Sequence, residues 1–204
     1  HAAVRLAGVH ALAHLADDAP PGRDDLVQMV IDVLCAYLRM PYTPAPDPLP
    51  EEATEEERAE HRDRELEFAS FREVRHTVLR VIGDRLREPT RWRGKNYDFT
   101  GAVFDGGDLT SARFTGATVN FTEAHFTGAT VHFNGARFTD GKVDFNGAHF
   151  TGGQVDFNEA EGTCPIGLLA AIERGEPEVV VLPAPWRPPD GQNDEQEAPE
   201  ASDR

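Results

Sequence analysis

Three consecutive twelve-residue segments, FTEAHFTGATVH (121–132), FNGARFTDGKVD (133–144) and FNGAHFTGGQVD (145–156), repeat one apolar pattern. Phe, Phe and Val recur at spacings of five, five and two. A short unit repeated at a fixed period cannot bury its own apolar face, so it must stack on its neighbours as a solenoid. Upstream, Phe99, Phe104, Leu109 and Phe114 are five apart, and the small residues Ala102, Gly107 and Ala112 stand two positions before three of them. Residues two apart share one face of a strand, so Val131 and Phe133 can both point inward from one long side. Sides then alternate between five and seven residues, and four sides close a coil of twenty-four. A twelve-residue coil would enclose too little space for two phenylalanines, although lengths of twenty and twelve remain formal alternatives. The candidate core is Phe99, Phe104, Leu109, Phe114, Phe121, Phe126, Val131, Phe133, Phe138, Val143, Phe145, Phe150, Val155 and Phe157. Ala and Gly before each Phe suit tight corners. Thr, Asn, Asp and Gly after each Phe suit turns with outward side chains.

This A-x-F/L-x-x pattern resembles the pentapeptide-repeat family, and the resemblance covers about a third of the chain. It implies a right-handed, quadrilateral parallel β-helix over residues 97–160 and a bacterial pentapeptide-repeat protein. A solenoid needs caps, because its end coils expose unpaired backbone. Trp92 and a helix over 66–88 are expected to cover the first coil. Residues 161–187 should form the closing cap: Thr163-Cys164-Pro165 reads as a helix start, Leu168, Leu169 and Ile172 as its apolar face, and Gly175 as its stop. Val179–Leu182 would add a last strand. The acidic tail 188–204 has no apolar residue larger than Ala and reads as disordered.

Residues 1–96 read as a helical module. AAVRLAGVHALAHLA (2–16) is apolar on nearly every face, which demands packing on more than one side. A second helix from Asp24 or Asp25 should bury Leu26, Val30, Val33, Tyr37 and Leu38 and stop before Met40-Pro41. A Pro-rich and acidic insert then spans 41–65. Its 51–65 part has no apolar stripe and reads as largely disordered. A third helix from about Leu66 to Leu86 presents Phe71, Val74, Val78, Val81, Ile82 and Leu86 on one side. VRLAGVHALAHLA (4–16) and VRHTVLRVIGDRL (74–86) resemble the second helix of a HEAT or armadillo repeat, which implies antiparallel helices and no activity. The expected class is therefore α+β: an N-terminal helical segment, a short β-helix and a C-terminal cap helix.

The net charge of −16 is uneven. Acids outnumber bases ten to three in 47–67, whereas 68–96 holds eight bases against three acids. Such a balance argues against direct nucleic-acid binding, which needs a dominant basic face. Arg72, Arg75, Arg80, Arg85, Arg87, Arg91, Arg93 and Lys95 could meet an acidic partner or an anionic membrane. The more economical reading is a solvated face neutralised by the nearby acidic insert. Cys35 and Cys164 fit no metal or disulfide spacing, and Cys35 reads as a buried small side chain in a reducing, cytoplasmic setting. Eighteen Arg against two Lys suits a GC-rich bacterial gene.

His10 and His14 stand at i, i+4 but lack a companion glutamate and a polar setting, so no metal is expected there. His125, Arg137 and His149 share one outward repeat position, and His132, Asp144 and Asp156 another. GGQVDFN (152–158) lacks the third glycine and the nine-residue period of calcium-binding β-rolls, so no calcium is expected. No catalytic residue and no cofactor are expected. The function expected is a non-catalytic interaction or scaffolding module with a protein partner. One alternative, implied by the family resemblance, is a DNA mimic that binds gyrase. The other is the cytoplasmic part of a membrane-anchored protein, since His1 lies inside an apparent helix and an upstream segment could carry an anchor.

Overall fold

The computed structural model describes residues 2–116 and 118–188. The chain runs from helices into very short strands. Helices α1 (Ala2–Asp17), α2 (Asp24–Leu38) and α3 (Glu55–Arg87) come first. Twelve strands follow: β1 (Tyr97–Asp98), β2 (Val103–Phe104), β3 (Gly107–Asp108), β4 (Arg113–Thr115), β5 (Thr118–Asn120), β6 (His125–Phe126), β7 (Val131–His132), β8 (Arg137–Thr139), β9 (Lys142–Asp144), β10 (His149–Phe150), β11 (Val155–Asp156) and β12 (Glu161–Gly162). Helix α4 (Leu168–Arg174) and strand β13 (Val180–Val181) close the chain.

All strand pairs are parallel and form four sheets, ordered β1-β5-β9, β2-β6-β10, β3-β7-β11-β13 and β4-β8-β12. Successive strands thus belong to successive sheets, the mark of a β-helix. Val119 pairs with Val143, His125 with His149, Val131 with Val155 and Arg137 with Arg113, each twenty-four residues apart. Phe121 stacks on Phe145 with ring centroids 4.5 Å apart, and Phe126 on Phe150 at 5.0 Å. Phe121 meets Phe133 only edge-on across the interior. The expected coil length holds here, but the first coil is shorter. Tyr97 pairs with Val119 and Val103 with His125, twenty-two residues on. Gly107 aligns with Val131, so the two missing residues fall between Phe104 and Gly107, and the side from Phe104 to Leu109 spans five residues where Phe126 to Phe133 above it spans seven.

Six of the corners share one device. The amides of Ala102, Ala112, Ala124, Ala136, Ala148 and Ala160 donate back to the carbonyls of Phe99, Leu109, Phe121, Phe133, Phe145 and Phe157. The residue before each of these alanines (Gly101, Ser111, Glu123, Gly135, Gly147 and Glu159) has a positive φ between 56° and 70°. Type II turns need that geometry at their third position. Asp98, Asp108, Asn120, Asp144 and Asp156 each accept from the backbone amide two residues on, which holds the turn start. Asp144 and Asp156, the residues nearest to a calcium-roll pattern, therefore serve as turn clamps.

The helical part departs from the sequence reading in four places. Residues 55–65, expected to be disordered, are the first turns of a 33-residue α3. Thr54 and Glu57 form a reciprocal capping box, with Glu57 N to Thr54 Oγ1 at 3.2 Å and Thr54 N to Glu57 Oε2 at 2.8 Å. Thr54→Ala should cost about 1 kcal/mol, read as a lower urea midpoint and lower helicity. An unchanged midpoint would show that these first turns contribute nothing to the fold.

Second, α1 packs on one side only: Val9, Ala13 and Ala16 are buried, while Val4 and Leu15 are exposed. Third, α2 turns Val27, Val30, Ile31, Leu34, Cys35 and Leu38 inward; Val33 is exposed, and Leu26 and Tyr37 are half-buried. Fourth, Phe71 is exposed on α3, covered in part by the Arg5 guanidinium. None of the described helices is long and apolar enough to cross a membrane.

One core runs continuously from α1 to the C-terminal cap. At that cap, α4 starts at Leu168 after Gly167 and not at Cys164, because Gly167 adopts a left-handed φ of 73°. Leu168 and Ile172 are buried, whereas Leu169 is only half-buried. The expected last strand is β13, which pairs with β11. A second closing element follows it. In the 3-10 turn 184–186, Trp186 lies over Phe138 and Phe157 at 5.6 and 5.9 Å, and its Nε1 donates to the Gly162 carbonyl at 3.0 Å. The acidic tail, apart from Pro188, lies outside the described residues.

Candidate interaction surface

The interior of the β-helix is spent on its core. All fourteen expected core residues are at most 6% exposed. What a partner can meet is the outward half of each strand, and the register decides which outward residues stand together. His125, Arg137 and His149 occupy equivalent repeat positions, yet a twenty-four-residue coil divides them between two sheets. His125 and His149 stack at 4.5 Å with 11° between their rings, on the sheet of β2, β6 and β10. Burial, and then the neighbouring His149, lower the His125 pKa. Arg113 and Arg137 are aligned two sheets away, and Arg137 pairs with Glu161 at 3.0 Å. His132 is likewise separated from Asp144: it aligns with Asp108 and Asp156, while Asp144 aligns with Asn120.

The basic helix is no free surface. Parallel strands leave every second carbonyl of the first coil without a strand partner, and α3 supplies the missing donors. Arg75 donates to the Val103 carbonyl at 2.6 Å, and Arg87 to those of Thr110 and Asp108 at 2.7 and 3.2 Å. Arg85 pairs with Asp17 at 2.7 Å, and Arg91 and Lys95 with Asp24. Arg93 donates to the Leu86 and Arg87 carbonyls at the end of α3. Of the eight basic residues, Arg80 alone has only a local partner, Thr77. Within the chain, these basic residues meet the first coil and the ends of α1 and α2 and not the acidic insert from which neutralisation was expected. Trp92 is fully buried and sends its Nε1 to Asp17 at 2.8 Å, tying α1 to the junction.

Asp105 is the centre of that junction. Its carboxylate accepts from His76 at 2.9 Å and from Tyr42 at 3.0 Å, and lies 3.3 Å from Arg72 Nε. Burial pushes its pKa up, but the hydrogen bond and charge of His76, the Tyr42 hydroxyl and the Arg72 charge outweigh this and hold it below the usual carboxylate range. Burial, with the Asp105 charge, pushes the Tyr42 phenol up to about 12. An Asp–His pair resembles part of a catalytic relay, but here the carboxylate is fully used in joining Tyr42, α3 and the first coil. No local pattern marks this cluster, because the three partners of Asp105 lie 29 to 63 positions away.

His10 and His14 are exposed on α1, and no group of three metal-ligating side chains occurs among the described residues. Cys35 is buried and its thiol pushed up to about 12 by that burial, which keeps it unreactive. A family model described as pentapeptide repeats (9 copies) matches residues 99–148 and 119–161. No curated protein and no solved structure matches the chain. The match falls on the four-sheet solenoid from residue 99 to residue 161 and leaves out the three helices before it.

Proposed function

We propose that the chain is a non-catalytic protein-interaction or scaffolding module: a HEAT-like helical stack joined to a right-handed, quadrilateral β-helix. The observation that carries this reading is the division of labour among its polar groups. The buried and junction polar side chains hold turns, caps and the helix–coil seam together. The exposed ladders, His125 stacked on His149 and Arg113 aligned with Arg137, make one ion pair among the described residues, Arg137 with Glu161. Regular outward ladders on a rigid rod offer repeated, evenly spaced contacts, which is how solenoids bind partners. The two free thiols suit a reducing compartment, and the cytoplasm is the location proposed.

The test separates the two faces. The full chain is used for affinity capture beside His125→Glu/His149→Glu and Arg113→Glu/Arg137→Glu variants, with melting temperature as the control for folding. The expected result is a stoichiometric protein partner lost with one face and kept with the other. Identical capture by all three proteins, or by none, would contradict the reading.

The gyrase-binding alternative is disfavoured by geometry. Three coils at ~4.8 Å rise only about 14 Å, against about 34 Å for one turn of B-DNA. Two acids that a phosphate-like array would need are already used: Asp105 is 5% exposed, and Asp108 pairs with Arg87 at 2.9 Å. The purified chain should leave gyrase supercoiling unaffected at low micromolar concentration. Inhibition that survives deletion of the tail from Pro189 onward and is lost on Asp144→Asn/Asp156→Asn would reverse this ranking.

A further inference from the structure

The outward face of the sheet β4-β8-β12 carries a column of cations. Arg113 aligns with Arg137, and Arg137 with Glu161, each one coil apart at ~4.8 Å. Both arginines are exposed, while Phe114 and Phe138 beside them point into the core. Arg93 continues the column below. A Cβ on Gly94 would stand 3.9 Å from the Thr115 carbonyl oxygen, so this part of the chain lies beside β4. Burial, and then the Arg113 charge, lower the Arg93 pKa against Glu88, which raises it. Of its charged neighbours, Arg93 therefore feels a like charge most strongly.

The acids of this column stand at its ends. Glu161 meets Arg137 Nε at 3.0 Å with both side chains open to solvent, and so exposed a pair is worth little and exchanges readily. Glu88 lies at the Arg93 end. Arg113, between them, makes no ion pair and no side-chain hydrogen bond among the described residues. Like charges directly opposite on neighbouring strands are destabilising, and an anion set between Arg113 and Arg137 removes that cost. Hydroxyls flank the two arginines. Thr115 and Thr139, two residues further along each strand, share the outward face, and their Oγ1 atoms are 3.3 Å apart. One hydroxyl donates to the other, which leaves one hydroxyl proton for a further acceptor.

Resting on the scaffold reading above, we propose that this column is the docking face and that its occupant is a short acidic segment of the partner protein. Carboxylates of that segment pair with Arg113 and Arg137 and accept from the free Thr hydroxyl. Charge complementarity and size select this occupant. The Arg113–Arg137 pair spans one coil step, which neighbouring carboxylates on one short segment cover. The chain as a whole carries −16, so a long polyanion such as nucleic acid is repelled along most of its length.

Fluorescence anisotropy of the full chain with a fluorescein-labelled octaglutamate peptide tests this, in about 50 mM salt so that exposed charges are not fully screened. Octaglutamine is the uncharged control, and an eight-nucleotide oligothymidylate offers phosphates instead. The peptide should bind at one site per chain, and both controls at least about tenfold more weakly. Arg113→Gln should weaken the peptide roughly three- to fivefold, as the loss of one exposed ion pair does, and Arg113→Gln/Arg137→Gln at least about tenfold. Melting temperatures should stay level in both. Arg174→Gln, the same loss of charge at an exposed position on α4, should change binding less than about twofold. Equal weakening by Arg174→Gln, tighter binding of the oligothymidylate, or unaltered binding in the double variant would overturn the proposal. A gain above about tenfold on Asp194→Asn/Glu195→Gln/Glu197→Gln would overturn it in favour of the chain's own acidic tail as occupant. A captured partner that is lost with the His125 and His149 face, but kept without Arg113 and Arg137, would overturn this inference alone. Capture of no partner would remove the scaffold reading, a failure that the peptide titration does not share.

Discussion

Phe121→Ala should lower the unfolding free energy by roughly 3–5 kcal/mol, the usual cost of truncating a buried Phe. Its ring is fully buried and lies between Phe99, 5.1 Å away on one coil, and Phe145, 4.5 Å away on the next. Phe104, Phe126 and Phe133 surround it within 6.1 Å. A solenoid is stabilised by nearest-neighbour interfaces, so a void at the middle coil weakens the interface on both sides at once. Urea unfolding followed by circular dichroism measures the loss. A change below about 1 kcal/mol would mean that the coil collapses around the void, as a loosely packed interior can.

Gly83→Ala should be destabilising by roughly 1–3 kcal/mol, as overpacking usually is, although a helix ordinarily gains about 1 kcal/mol from the same change. Gly83 lies where α3 presses on the first coil. A Cβ there would stand 2.7 Å from the Asp108 carbonyl oxygen, a backbone atom that cannot move aside alone. Relief requires α3 to lift, and with it the Arg87 bonds to Thr110 and Asp108. Gly8 in α1 is the internal control, since a Cβ there meets nothing within 4 Å. Gly8→Ala should stabilise by roughly 0.5–1 kcal/mol. The same sign for both substitutions would remove the close contact between α3 and the solenoid from the account.

The repeat core was legible because its information is local. A five-residue spacing with a two-residue step assigns each Phe and Val an inward direction without knowledge of any distant residue. The twenty-two-residue first coil was legible in principle too, as the five-residue spacing from Phe104 to Leu109 where Phe126 to Phe133 spans seven, but the later units masked it. The acidic start of α3 was misread for a physical reason. Residues 55–65 have no apolar stripe, yet a helix extends cheaply once its packed half has nucleated. The Thr54–Glu57 box and local pairs such as Arg58–Glu55 hold the start. The arginine partners were invisible because Asp17, Asp24 and the coil carbonyls are brought close only by the fold. Trp186 carried no periodic signal at all, being a single residue among prolines.

Which residues share a face, and so which surface any partner can meet, depends on the twenty-four-residue coil. Crosslinking of paired cysteines with an ethylene-bridged bis-maleimide, in a Cys164→Ser background, reads that register directly. Arg113 and Arg137 are exposed register partners in one sheet, whereas His125 and Arg137 are twelve residues apart and lie two sheets from each other. The Arg113→Cys/Arg137→Cys protein should crosslink rapidly within the folded chain, and the His125→Cys/Arg137→Cys protein should not until it is unfolded. Rapid crosslinking of the second pair, with none in the first, would show coils of twelve and contradict the account.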